Sequence, residues 1–383
     1  MTVTTPTGFR AAGVAAGLKA SGARDLALVV NDGPSAAAAA VYTSNRCKAN
    51  PVLWSEQVTA DGHVRAVVLN SGGANCYTGP EGFQTTHATA ERVASRLGIS
   101  ASDVVVCSTG LIGVQLPRDL VLAGVDAAVA ELSTEGGPDA ALAIMTTDTR
   151  PKQAAVTGQG WSLGGIAKGA GMLAPALATM LVVLTTDADV DAATCDAALR
   201  TAVSRTFDRL DTDGCQSTND TVLLMASGAS GVTPSAEEFT TALTQLCHDL
   251  AMQLLADAEG SAHDITITVR GAASEADALE VGRAIARSAL FKCAVYGEDP
   301  NWGRILAAVG TTKAAFDPHA IDVIFNGVRI CHAGQPDEPR EKVVFNGRAV
   351  TVIVDLHAGD EQATVWTSDL TEAYVHENSA YST

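Results

Sequence analysis

Three short stretches of this chain are apolar almost without interruption: Val64 to Leu69, Asp103 to Cys107, and Met180 to Leu184. Each is too short for an ordinary helix and reads as a strand buried on both faces. Such strands belong inside a fold and not at its surface. The first stretch runs into Asn70-Ser71-Gly72-Gly73 and the second into Ser108-Thr109-Gly110, both turn-forming sequences.

Helical patterns fall between the strands. One is expected near Gln84 to Leu97. The clearest begins at Ser235, where Ser235-x-x-Glu238 makes a capping box and Phe239, Leu243, Leu246, Leu250 and Leu254 share one face. Gly260, after Asp257-Ala258-Glu259, is the expected terminator. Ile265, Ile267 and Val269 then alternate with Thr266 and Thr268, which predicts a half-buried strand. The C-terminal part, from about residue 300 to 383, is richer in strand signals. Val323 to Gly327 and Val343 to Gly347 each run into Asn-Gly, so two similar hairpins are expected. A soft boundary is expected near Asp299-Pro300-Asn301.

Only 4% of the residues are aromatic while 47% are hydrophobic, so Ala, Val and Leu must build the core. The formal charge of −18 argues against nucleic-acid and membrane-surface partners, though not against a small anion in a local pocket. The eight cysteines form no CxxC pair, and several sit in apolar strings such as Val104-Val105-Val106-Cys107. They read as reduced thiols of a cytoplasmic protein, with no metal site. Ala11 to Leu18, with two glycines, is a poor signal peptide, and no run reaches membrane-spanning length. The common signatures of dinucleotide, P-loop, α/β-hydrolase and zincin sites are absent. Lone histidines such as His63 and His357 read as structural or solvated side chains in strand-like contexts.

The most informative segment runs from Gly164 to Leu181. Gly164, Gly165, Gly169 and Gly171 surround Lys168, and small Ala178 precedes Thr179 at the mouth of an apolar strand. Read by physics alone, this is a glycine-rich loop entering a buried strand. Read with its neighbours, it closely resembles the ornithine acetyltransferase family, also called the glutamate N-acetyltransferase family of arginine biosynthesis. The resemblance is carried by Lys168-Gly169-x-Gly171-Met172 and Ala178-Thr179-Met180-Leu181. Asn70-Ser71-Gly72, Ser108-Thr109-Gly110, Met145 to Thr149 and Ser217 to Thr221 reinforce it. So do Asp257 to Gly260, Asp299 to Arg304, Asp369 to Thr371 and Glu377 to Tyr381. These islands span nearly the whole chain in the family's order. Gly73 and Gly214-Cys215-Gln216 depart from the usual pattern, away from the nucleophile.

The resemblance implies an α/β protein of stacked β-sheets covered by helices, with a self-processing, N-terminal-nucleophile-like fold. It implies cleavage between Ala178 and Thr179, giving an α chain of residues 1–178 and a β chain of residues 179–383 in one intertwined catalytic unit. Thr179 would become an N-terminal nucleophile at a sheet edge, with its own α-amine as base. An oxyanion hole is implied at the Thr109 hydroxyl and the Gly110 N–H. Substrate contacts are implied at Lys168, Thr179, Glu259 and Asn378, at Thr146 or Thr147, and at Ser382 or Thr383. Structural roles are expected for Asp220 and Arg304. The implied reaction passes acetyl from N-acetylornithine to glutamate by ping-pong through an acetyl-threonine ester, without a cofactor. Some members also take acetyl from acetyl-CoA as a substrate, and no residue here decides between the two types. The family is usually an α₂β₂ or larger assembly. Two other readings stand beside this one: a self-processed amidase or aminopeptidase, and a non-catalytic amino-acid-binding protein that is never cut.

Overall fold

The computed structural model describes residues 1–171 and 180–380. The three apolar stretches become strands Ala66–Asn70, Val104–Ser108 and Leu181–Thr186, and every residue in them is buried. They fall in two sheets. The first runs, in spatial order, Phe9–Val14, Leu26–Asn31, Ala66–Asn70, Val104–Ser108, with only the last pair parallel. The second runs Ala37–Tyr42, Thr221–Ala226, Leu181–Thr186, Ser162–Lys168, Lys152–Thr157, and its one parallel pair joins Leu181–Thr186 to Thr221–Ala226.

The two sheets face each other. Phe9, Val29, Val67, Leu69 and Val105 of the first meet Ile166, Leu181, Val183, Leu223 and Met225 of the second in one core. Helices Gly79–Leu97 and Arg118–Ala130 cover the outer face of the first sheet. Ala192–Arg205 and Ala236–Leu255 cover that of the second. The order helix, sheet, sheet, helix is the layering that doubly buried strands demand. Among the described residues, no helix is long and apolar enough to cross a membrane.

Local expectations hold unevenly. The Ser235 capping box forms in full, but its helix ends at Leu255, well before Gly260. The helix expected from Gln84 starts earlier, at Gly79, with Pro80 in its first turn, where a missing N–H costs nothing. The glycine-rich stretch is a strand up to Lys168, not a loop. Gly164 is needed there because a Cβ would stand 2.2 Å from the Thr2 carbonyl oxygen of the crossing N-terminal segment.

A third sheet follows the order Gln335–Pro336, Val328–His332, Asp322–Phe325, Ala349–Asp355, Asp264–Ala272, Glu361–Ser368. Its core runs from Ile265 to Val365, so no boundary falls at Asp299-Pro300-Asn301; there Asn301 caps helix Trp302–Val309, which packs on that same core. Of the two expected hairpins only the first forms, with Asn326 and Gly327 both at positive φ in its turn. Val343 to Phe345 forms no strand. Both sides of Ala349–Asp355 are already paired, and Phe345 packs instead against Phe325 and His263. His357 leaves its strand-like context for a left-handed turn, where it meets Asp322 at 3.2 Å.

Candidate active site

One cleft gathers residues from widely separated stretches. Thr109, Gly110, Thr146, Thr147, Lys168, Gly171, Asp213, Cys215, Glu259, Tyr374 and Asn378 line it. It lies at the ends of the buried strands, because Val104–Ser108 delivers Thr109 and Gly110, and Ser162–Lys168 delivers Lys168. Met180 leads into Leu181–Thr186, which is the central strand of its sheet, so the site sits at strand ends and not on a lateral edge. Ala178, Thr179, Ser382 and Thr383 lie outside the described residues.

The Thr109 turn is held from three sides. Thr109 N–H donates to the Asn70 carbonyl, and Gly73 N–H donates to the Thr109 carbonyl, both at 3.0 Å. Asn219 Nδ2 donates at 2.7 Å to the carbonyls of Ser108 and Ala74. Gly110 has φ of +130°, and a Cβ there would lie 2.9 Å from the Gly73 backbone. Only glycine fits. Three of the motif islands, around Asn70, Thr109 and Asn219, are thus one hydrogen-bonded unit.

Lys168 Nζ donates to Thr109 Oγ1 at 3.3 Å. A lysine ammonium has no acceptor, so the Thr109 oxygen must accept and its own hydrogen stays free for another oxygen. Both side chains are buried. Burial holds the Lys168 ammonium below the ordinary lysine range, against the pull of Asp148, Asp220 and Glu259. The result is a cation and a hydroxyl aimed together at the cleft, an arrangement that suits a developing oxyanion.

Behind Lys168 stands a buried ion cluster. Asp148 Oδ1 accepts from Lys152 Nζ at 2.5 Å and from Gly169 N–H at 2.7 Å, while Oδ2 accepts from Thr146 N–H at 3.0 Å. Burial works against charge on Asp148, but Lys168 and Lys152 outweigh it and hold the carboxyl below its usual range. Lys152 also donates to Asp257, which in turn takes the Thr149 N–H and hydroxyl. The cluster therefore sets the backbone that carries Thr146, Thr147 and Gly169.

Glu259 arrives from the other side. Its N–H donates to the Ala170 carbonyl at 3.0 Å, and its carboxylate lies where a Cβ on Gly171 would stand 2.5 Å from Oε2. Asn378 Nδ2 donates to Glu259 Oε2 at 3.0 Å from helix Glu372–Ala380. That helix can approach because Gly260 has φ of +60° and no side chain; a Cβ there would meet Tyr374 N at 2.2 Å. Thr146 and Thr147 both line the cleft. Arg304 lies apart, donating to the Leu290 carbonyl at 2.5 Å and joining two helices as a structural residue.

Sequence reasoning missed Gly171, Asp213, Cys215 and Tyr374 as lining residues, and Lys152 as the centre of the ion cluster. Asp148 and Asp257 lay within recognised islands; Lys152, a single lysine in a strand, carried no signal at all.

A model described as the ArgJ family matches residues 10–383. The chain belongs to the ArgJ family. It is 64% identical to the arginine biosynthesis bifunctional protein ArgJ of Thermobifida fusca, over 383 residues and the full length of both chains. It is 62% identical to the protein of that name from Streptomyces avermitilis, again over all of both chains. Among solved structures, it matches ornithine acetyltransferase from Mycobacterium tuberculosis complexed with ornithine, at 58% identity and a TM-score of 0.45. That match covers 47% of this chain and 96% of that one.

Proposed function

We propose that this ArgJ-family chain is a self-processing glutamate N-acetyltransferase that carries acetyl from N2-acetyl-L-ornithine to L-glutamate on Thr179. One observation supports the reading above others: residues that the family resemblance assigned to the site from far apart in sequence converge on one cleft, with Lys168 donating to Thr109.

Processing comes first. The Thr179 hydroxyl oxygen bonds to the Ala178 carbonyl carbon, the C–N bond breaks, and the proton ends on the freed amine. Water then hydrolyses the ester, leaving residues 1–178 and 179–383 as α and β chains of one unit. In turnover the amine takes the Thr179 proton as the hydroxyl attacks the acetyl carbonyl of N-acetylornithine. Thr109 hydroxyl and Gly110 N–H receive the oxyanion, and among the described residues nothing else takes the Gly110 N–H. The proton passes to the departing ornithine amine. Glutamate's amine then attacks the acetyl-Thr179 ester, and N-acetylglutamate leaves. The step balances without a cofactor.

The two substrates share an α-carboxylate and differ in side-chain charge. Lys168 serves the carboxylate or the oxyanion. Glu259, fixed by Asn378, takes ornithine's side-chain ammonium. Thr146 or Thr147, and Ser382 or Thr383, complete the contacts. The relatives' names include the word bifunctional, which favours acetyl-CoA as a second acetyl donor. An α₂β₂ or larger assembly fits the family, and eight free thiols favour the reducing cytoplasm.

Intact mass under denaturing conditions tests the reading, beside a Thr179→Ala control. Two chains meeting at Ala178 and Thr179, with the control uncut, are expected. Labelled N-acetylornithine should then yield labelled N-acetylglutamate. An uncut wild-type chain, or free acetate as the sole product, would overturn it.

A further inference from the structure

Asp220 stands immediately before strand Thr221–Ala226 and is wholly buried. Its Oδ1 accepts the Met180 N–H at 3.0 Å. Among the described residues its Oδ2 has no hydrogen-bond partner. The hydroxyls of Ser217 and Thr43 flank the carboxyl, and Lys168 is the cation that acts on it. The Thr43 hydroxyl is already committed to the Ser217 carbonyl at 2.7 Å. A buried oxygen left in this way is destabilising. Such a cost points to a partner that arrives in another state of the protein.

The cut at Thr179 supplies one. A single peptide bond joins Thr179 to Met180, so the freed amine is covalently held within about 4 Å of the nitrogen that Asp220 already binds. We propose that Asp220 is a positioning residue for the nucleophile: Oδ1 fixes Met180, and Oδ2 accepts one N–H of the Thr179 amine, which turns the amine's lone pair toward the Thr179 hydroxyl. The inference rests on the self-cleaving reading above. Its chemistry is that of a nucleophile whose base is oriented by a third group. The hydroxyl proton passes to the amine as the oxygen–acyl bond forms, then on to the leaving amine, and Asp220 itself exchanges no proton.

The test separates cutting from turnover in the full-length protein. Asp220→Asn keeps an oxygen for Met180 but offers an N–H₂ where Oδ2 stood. It should cut to completion, melt within a few degrees of wild type, and lose about tenfold or more in kcat with KM little changed. Asp220→Ala should lose both functions, with cutting slowed by about tenfold or more. Wild-type kcat in a folded, cut Asp220→Asn protein would overturn the proposal. If neither variant folds, a crystal structure of the cut wild-type enzyme decides it. The Thr179 nitrogen should lie within about 3.2 Å of Oδ2, and a separation beyond about 4 Å would refute the contact. A wild-type chain that is never cut defeats the self-cleaving reading instead, through its own mass measurement.

Discussion

Lys152 Nζ lies 2.5 Å from Asp257 Oδ2 and 2.5 Å from Asp148 Oδ1, with almost no solvent access to any of the three groups. Lys152 and Asp148 precede the proposed junction and Asp257 follows it. One buried ammonium therefore ties the two proposed chains together directly behind the substrate cleft. Replacing it, as Lys152→Met, strands two buried carboxylates. The expected cost is about 3–5 kcal/mol, read as a lowered urea midpoint. Adding Asp257→Asn removes one stranded charge and should recover part of the loss. A Lys152→Met protein as stable as wild type would show that the cluster is not what holds this region.

Thr109 offers its hydroxyl hydrogen to the cleft because Lys168 donates into its oxygen. Thr109→Val keeps the shape and loses the donor. Its kcat should fall by about 10²–10³ while KM for N-acetylornithine barely moves. Thr109→Ser keeps the hydroxyl and should retain most of the rate. Steady-state kinetics on all three proteins would decide; an equal loss in Val and Ser variants would speak for packing instead.

Glu259 is the carboxylate assigned to ornithine's side-chain ammonium. Glu259→Gln should raise KM for N-acetylornithine by about tenfold or more and leave KM for glutamate nearly unchanged. Asn378→Ala frees Glu259 Oε2 and should give a weaker shift in the same direction. Parallel changes for both substrates would remove the assignment.

Asp211 supplies a pH dependence of stability. Burial, which outweighs the partnering Arg287, raises its carboxyl from 3.8 to about 6. Its Oδ2 accepts from Arg287 Nε at 2.7 Å, while Oδ1 has no partner among the described residues. Between pH about 4 and about 6 the folded state binds the extra proton, so this group's contribution to stability falls as pH rises through that window and is flat above it. The stability of wild type relative to Asp211→Asn should fall by about 3 kcal/mol across the window. Urea unfolding at several pH values measures it; a constant difference would mean that Asp211 does not titrate there.

The layers were implied by the family resemblance, and the strands buried on both faces agree with them. Thr109, Gly110, Lys168, Glu259 and Asn378 were singled out by the family resemblance of the short islands they lie in, and the fold brings all five to one cleft. Lys152 was not singled out. Its role comes from two carboxylates brought to it from Asp148 and from Asp257, far along the chain, and no local pattern encodes that meeting. The second hairpin failed for a related reason. Val343-Val344-Phe345-Asn346-Gly347 has the local pattern of its twin, but both sides of the neighbouring strand Ala349–Asp355 were already taken. The orphaned oxygen of Asp220 was equally invisible, since unsatisfied bonding is a property of surroundings.

The place of strand Leu181–Thr186 has a consequence for the protein's history. It lies between Ser162–Lys168, from before the proposed junction, and Thr221–Ala226, from after it, with Lys168 registered against Leu181. A chain cut there must have folded first, since only the intact precursor brings these strands together within one molecule. Once cut, the protein keeps its shape but loses the instructions for regaining it. Unfolded halves would have to find each other by diffusion and insert the pair Leu181–Thr186 and Thr221–Ala226 between Ala37–Tyr42 and Ser162–Lys168 of the other half. Survival would then depend on how slowly the cut form opens, and each opening under stress would be a one-way loss.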